Sequence, residues 1–378
     1  MKKANVGIIG FGFMGKVRAY AHINLPLFYD PVPLEAPIVG VCNRTLSVAE
    51  KARKDFGFEF ATSDFREITE NPKIDIVHIC TPNACHKEEL LSAIAHNKHV
   101  YCDKPLVASY EEAGEVLKAM KDYEGIHQVA FQTPFFPATL RAKELVDEGF
   151  VGDVLSFRAA YLHSGSANPN APLKWKLAKD VAGGGVMYDL GSHAIQIVRH
   201  LVGEFDQIFC DKKIAFADRP SFEDPLKRVP VESEDLVTMM VRTKGGALGT
   251  IEATKIATGT QDEIRFEIHG TRGALRFNSM QPNVLGVYDA TASDAPIGGV
   301  QGWLQIDTVQ RYPKPATGFP GPKFSIGWIR AHMACLYNFL QSVADQTPAS
   351  PDFYEGARIQ EIMDAGYESA KKGAWVKL

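Results

Sequence analysis

Val6-Gly7-Ile8-Ile9-Gly10-Phe11-Gly12-Phe13-Met14-Gly15 decides how this chain is read. A short apolar run leads into three glycines spaced G-x-G-x-x-G, and a helix-compatible stretch follows. At the end of a first strand, Gly10 permits a tight turn and Gly12 lets backbone approach a pyrophosphate. Gly15 permits close packing of helix on strand. The helix N-terminus offers N–H donors and the positive end of its dipole. Phe11, Phe13 and Met14 ride on the same loop. Glycines also punctuate ordinary turns, so the motif depends on its surroundings.

Those surroundings alternate. Apolar runs short enough for buried strands occur at 6–9, 38–42, 74–80, 99–102 and 126–131. Helix-like stretches occupy 47–56, 87–96 and 110–123, the last opened by Ser109 with Glu112 three residues on, a capping-box pattern. Residues 25–37 hold four prolines and read as a long loop. Strand–helix alternation with apolar strands predicts a doubly wound parallel sheet covered on both faces. After about Pro137 the texture changes. A helix at 139–148 leads into a strand at 154–161, and period-two segments follow at 235–242 and 264–268. Thr243-Lys244-Gly245-Gly246 suits a hairpin turn. Such alternation belongs to antiparallel strands with unequal faces. Pro- and Gly-rich 289–322 reads as loops, and helices are expected at 328–343 and 353–371. The chain thus divides into a dinucleotide-binding Rossmann domain, 1–134, and an α+β domain, 135–378.

Composition bounds the function. A chain of 378 residues with 45% hydrophobic and 23% charged residues is globular, with two domains the best prior. A net charge of −4 supplies no basic field for nucleic acid. No apolar run approaches the ~18 residues of a membrane span. The N-terminus reads as a strand and turn rather than a signal peptide. The six cysteines contain no CxxC pair; their even count permits disulfides, but a long chain without a secretory signal favours reduced thiols and a cytoplasmic setting.

Coenzyme choice is open. An acidic residue at the end of the second strand would accept from ribose hydroxyls and repel a 2′-phosphate. This chain has Asn43-Arg44 there. Asn43 can bond a hydroxyl without repelling phosphate, and Arg44 either pairs with a phosphate or points into water. Both NAD and NADP remain candidates.

Further motifs follow in order: Thr81-Pro82-Asn83 with His86, Asp103-Lys104-Pro105, Gly183-Gly184-Gly185, and Asp189-x-x-x-His193. Together with the glycine loop they resemble the Gfo/Idh/MocA family over essentially the whole chain. The resemblance implies a Rossmann domain followed by an α/β domain whose large, open, mostly antiparallel sheet often forms an oligomer interface, hence a homo-oligomer (dimer or tetramer). It implies NAD(P)-dependent oxidation or reduction of a sugar, cyclitol or related polyol. Carried over by position, Thr81, Pro82, Asn83 and His86 would line the coenzyme near its nicotinamide. Lys104 matches the family's active-site lysine, and Asp189 and His193 its substrate-site pair. Asp103 stands where the family usually has Glu, with shorter reach toward the nicotinamide ribose. Of Gln132 to Pro137 only Gln132 is transferred. Trp175-Lys176 and the segment 327–332 look closest to members acting on sugars and inositols, including levoglucosan-type dehydrogenases.

Alcohol oxidation needs a base for the hydroxyl proton and donors for charge developing on oxygen. Lys104, at a strand's C-terminal end, can donate to that oxygen or, beside a cationic coenzyme, accept its proton. Histidine is the side-chain type whose unperturbed pKa, about 6.5, suits proton transfer near neutrality, and a helix over 185–201 would put His193 on one face with Asp189. Asp189 would bind a substrate hydroxyl or orient the imidazole. Tyr161, His163, Trp175 and His332 are further candidates for polyol contact, each also readable as structural. No residue set has metal-ligand spacing. Two other readings keep the fold: an NAD-retaining glycoside hydrolase acting by transient oxidation, and a non-catalytic NAD(P)-binding regulator.

Overall fold

The computed structural model describes residues 2–313 and 319–378, which form two compact units. The first comprises the chain up to Gln132 together with Ile329–Gln360; the second comprises Thr133–Pro313, Gly321–Trp328 and Glu361–Leu378.

Six parallel strands build the first unit: β1 (Val6–Ile9), β2 (Ile38–Cys42), β3 (Phe60–Thr62), β4 (Ile76–Ile79), β5 (His99–Cys102) and β6 (His127–Val129). Their order is β3-β2-β1-β4-β5-β6. The order reverses between β1 and β4, the topological switch point at which such sheets bind dinucleotides. Strands buried on both faces need the unbroken apolar runs the sequence shows; all four residues of β1 and of β4 are buried. The crossovers are α1 (Phe13–Phe28), α2 (Leu46–Phe56), α3 (Arg66–Thr69), α4 (Asn83–Ala95) and α5 (Tyr110–Ala119). At α5 the cap forms, with Glu112 N–H donating to Ser109 Oγ at 3.2 Å.

Two expectations here need correction. Residues 25–28, read as loop, extend α1 through Pro26. Leu25 and Tyr29 are buried, and Tyr29 N–H closes the last turn on Leu25 O at 3.0 Å. The short β3 and α3 went unread, because three or four residues carry too little period to register.

The second unit begins with α6 (Pro137–Asp147) and β7 (Val154–Leu162), followed by α7 (Lys179–Ala182) and α8 (Ser192–Val202). Nine strands form its large sheet: β7, β8 (Phe205–Lys213), and, after a two-stranded ribbon of β9 (Asp218–Pro220) and β10 (Arg228–Pro230), β11 (Leu236–Thr243), β12 (Leu248–Thr254), β13 (Glu263–Gly270), β14 (Gly273–Asn278), β15 (Val284–Asp289), β16 (Trp303–Asp307) and β17 (Val376–Lys377). The order is β16-β15-β14-β13-β7-β12-β11-β8-β17, and β7–β12 pair in parallel while the other pairs are antiparallel. Alternation is plain in β11, where Val237, Met239 and Val241 are buried while Thr238, Met240 and Arg242 are exposed. The β11–β12 hairpin turns where the glycines predict, with Gly246 at φ +89°.

The expectation of loops over 289–322 fails at β16. Its exposed edge residues give no apolar period, and pairing with β15 rather than burial makes it a strand. Residues 314–318 of that stretch lie outside the described residues. Two long helices precede β17: α9 (Trp328–Asp345) and α10 (Phe353–Lys372). No helix among the described residues is long and apolar enough to cross a membrane.

Candidate active site

The glycine loop joins β1 to α1, and its three glycines differ in cause. Gly10 has φ +88°, and a Cβ there would lie 2.7 Å from the Cys80 backbone. A Cβ on Gly15 would lie 2.2 Å from Gly10 O. A Cβ on Gly12 would meet nothing within 4 Å. Gly10 and Gly15 are therefore glycine because the protein packs against them, whereas Gly12 leaves an open approach for a ligand. No side chain caps α1 and no acid sits in its first turn, so its first N–H groups suit an anion. Phe11 packs against Phe56 and Phe58, with ring centroids 5.8 and 5.9 Å away, while Phe13 is exposed and Met14 half-buried.

Asn43 follows β2. Its Oδ1 accepts from Phe11 N–H at 3.2 Å and its Nδ2 donates to Thr45 O at 3.3 Å. The amide thus holds the glycine loop. Arg44 is exposed beside it. After β4, Thr81 Oγ1 donates to Glu89 Oε2 at 2.6 Å. Glu89 is buried in α4, and that burial pushes its carboxyl up to about 8. Pro82 and Asn83 open α4. His86 is fully buried: Nε2 lies 2.9 Å from Thr81 O, and Nδ1 lies 3.1 Å from Pro105 O and from Leu106 O. The ring ties the loop after β4 to the loop after β5.

Asp103 and half-buried Lys104 follow β5; Lys104 N–H donates to Asp103 Oδ1 at 2.9 Å. Behind them stands Arg18 of α1, which has no exposed surface. Its Nη2 lies 3.5 Å from Asp103 Oδ1, its Nη1 lies 3.1 Å from His332 Nδ1, and its guanidinium sits 4.9 Å from the Tyr101 ring centroid. An arginine stays charged even here, so the pair sets Asp103 in place. His332, readable from sequence as a polyol contact or as a structural residue, is buried within the first unit with its Nδ1 on Arg18. Gln132 is buried just beyond β6.

The second unit gathers its own candidates. Met187–Gly191 form a π-helical turn leading into α8, in place of the uniform helix expected over 185–201. Such turns concentrate at functional sites. Asp189 sits on it. Its Oδ1 accepts from Lys176 Nζ at 2.9 Å and its Oδ2 lies 3.0 Å from Lys255 Nζ. His193 is buried, its ring centroid 5.5 Å from that of Tyr161 in an edge-on arrangement. Tyr161 OH donates to Asp262 Oδ1 at 2.8 Å, and burial raises its phenol further above the usual range. His163 Nδ1 accepts from Gly165 N–H at 2.7 Å and closes a turn. Trp175 is partly exposed, with Lys176 Nζ 5.8 Å from its ring centroid.

Residues 4–131 match the Gfo/Idh/MocA model described as an oxidoreductase family NAD-binding Rossmann fold, and residues 143–378 match its C-terminal alpha/beta domain. The chain belongs to the Gfo/Idh/MocA oxidoreductase family. This family member is 37% identical to levoglucosan dehydrogenase of Pseudarthrobacter phenanthrenivorans, over 100% of this chain and 98% of that one. A solved levoglucosan dehydrogenase, in complex with NADH and levoglucosan, is 36% identical with a TM-score of 0.95, covering 100% of this chain and 99% of that one. The scyllo-inositol 2-dehydrogenase (NADP(+)) of Bacillus subtilis is 30% identical over 52% of this chain and 51% of its own length.

As a Gfo/Idh/MocA oxidoreductase the chain binds a nicotinamide dinucleotide, and the open face at Gly12 fits one. The residues this site adds to the sequence reading are Arg18, Glu89, Lys176 as a partner of Asp189, and Lys255. Arg18 carried one faint signal, a charge on the α1 face shared with Val17, Ala21 and Leu25.

Proposed function

We infer that this oxidoreductase moves a hydride between a hydroxyl-bearing carbon of a sugar, cyclitol or related polyol and NAD or NADP. The carrying observation is full-length similarity, at 37% identity, to a levoglucosan dehydrogenase. An anhydrosugar of that kind is the finer proposal. When bound, the coenzyme supplies a nicotinamide carbon that takes or returns the hydride. Gly10 to Gly15, Asn43, Arg44, Thr81 to Asn83, Asp103 and Gln132 are the proposed coenzyme residues, with His86 supporting them.

In the proposed chemistry Lys104 donates to the reacting oxygen and His193 takes its proton. Asp189, an acceptor fixed by two lysines, binds a substrate hydroxyl. Tyr161 and Trp175 would shape that side, and His163 borders it. Exposed residues on one face of the large sheet, such as Arg158, Met240 and Leu248, support a homo-oligomeric arrangement. Six free cysteines, four of them buried, support a cytoplasmic setting. The test is a panel of anhydrosugars, cyclitols and aldoses with each coenzyme, followed by nicotinamide absorbance. Reduction with at least one polyol is expected; no reduction with any would remove the reading.

A further inference from the structure

The triple glycine before Asp189 could have been a gap for substrate. It is filled. A Cβ on Gly185 would lie 2.3 Å from Glu234 O and 2.7 Å from Glu234 Cδ, and one on Gly184 would lie 2.3 Å from the Tyr367 hydroxyl. Glu234 is 2% exposed and sits just before β11. Its Oε1 accepts from Gly185 N–H at 3.1 Å, Met187 N–H at 3.0 Å and Tyr367 OH at 2.9 Å. Its backbone O accepts from Val186 N–H at 2.9 Å. One residue thereby satisfies three consecutive donors of the segment that carries Asp189. A buried carboxylate with several N–H and O–H donors is a strong, directional anchor.

The next residue reaches the other side of Asp189. Asp235 O accepts from Lys255 N–H at 2.9 Å, and Lys255 Nζ pairs with Asp189 Oδ2. Asp235 is itself fixed: Oδ2 accepts from Ala215 N–H at 2.9 Å, and Oδ1 lies 3.6 Å from buried Arg219. Residues 234 and 235 therefore frame both the turn holding Asp189 and the lysine paired with it. From Tyr188, beside Asp189, the hydroxyl donates to Asp364 Oδ1 at 2.7 Å, a second tie from α10.

We propose that Glu234, braced by Tyr367, is a positioning residue that sets Asp189 against Lys255 in the substrate-binding half of the site. The proposal rests on Asp189 serving substrate, as proposed above. Glu234 touches no reacting atom; it acts through the turn.

The test compares Glu234→Gln, Glu234→Ala and Tyr367→Phe with the wild-type protein by crystal structure, melting temperature, coenzyme Kd, and kcat and KM for a polyol. A misplacement of about 1 Å costs roughly a hundredfold in rate. Glu234→Ala should lose about that in kcat/KM, and Glu234→Gln, which keeps an oxygen acceptor, should recover part of it. Tyr367→Phe, the variant safest for folding, should lose less. Coenzyme Kd should stay within about twofold, and Asp189 should shift from Lys255 in the variant crystals. Folded variants with wild-type kcat and KM, or with Asp189 unmoved, would overturn the proposal. Equal losses of coenzyme affinity and polyol turnover would also overturn it, since that is general loosening. Should the wild-type protein oxidise no polyol, the functional reading alone falls, and the position of Asp189 in the variant crystals still decides this one.

Discussion

At the scale of single residues, Asn43 does two jobs that the sequence could not separate. It stands where an acid would choose NAD, yet its Oδ1 already holds Phe11 N–H. Asn43→Asp keeps that acceptor and adds a charge. One unit charge near another at partial exposure is worth about 1 kcal/mol or more, so preference should move toward NAD by roughly tenfold. Arg44→Ala should weaken NADP selectively by about two- to fivefold, as an exposed pair does. Coenzyme Kd values report both; equal effects on NAD and NADP would mean Arg44 faces only water. The proton-transfer pair is tested the same way. His193→Ala should lower kcat by about 10²–10⁴ with coenzyme affinity nearly unchanged, because the proposed coenzyme residues lie in the first unit. Near-normal kcat in His193→Ala beside an inactive Lys104→Met would pass the base role to Lys104.

At the scale of elements, α4 carries an acid where burial disfavours charge. Burial pushes the Glu89 carboxyl up to about 8, from an ordinary value of about 4.3 in the unfolded chain. Between those values the native protein binds the proton that the unfolded chain has lost. Stability therefore falls as pH rises through that window, by an amount on the order of a few kcal/mol. Glu89→Gln should remove the fall, so its melting temperature should exceed that of the wild-type protein at pH 9 and match it near pH 5. A variant no more stable at pH 9 would show that Glu89 is ionised without cost. Elements also mark where sequence reading stopped. The crossovers and the β11–β12 hairpin were legible because apolar period and glycine placement are local. The π-turn, β16 and the end of α1 were not. Each is fixed by partners outside its own stretch of sequence: Glu234, β15, and the Arg330 and Tyr337 side chains on Tyr29.

At the scale of the whole molecule, the ordered motifs made the architecture readable, since a glycine loop, a lysine after β5 and an Asp-x-x-x-His pair follow one another over the full chain. The residues that hold those motifs in place were not readable. Arg18 behind Asp103, and Lys255 and Glu234 around Asp189, are single charges whose meaning is their burial beside a distant partner. Net hydride transfer from a polyol carbon to the coenzyme is the reaction proposed for the whole molecule. The most direct measurement supplies a polyol deuterated at its hydroxyl-bearing carbons together with the preferred coenzyme, and follows both products by NMR. One deuterium is expected on the nicotinamide ring for each polyol oxidised to the carbonyl. Sugar consumed with the coenzyme unchanged, or a glycoside cleaved with no reduced coenzyme accumulating, would contradict it.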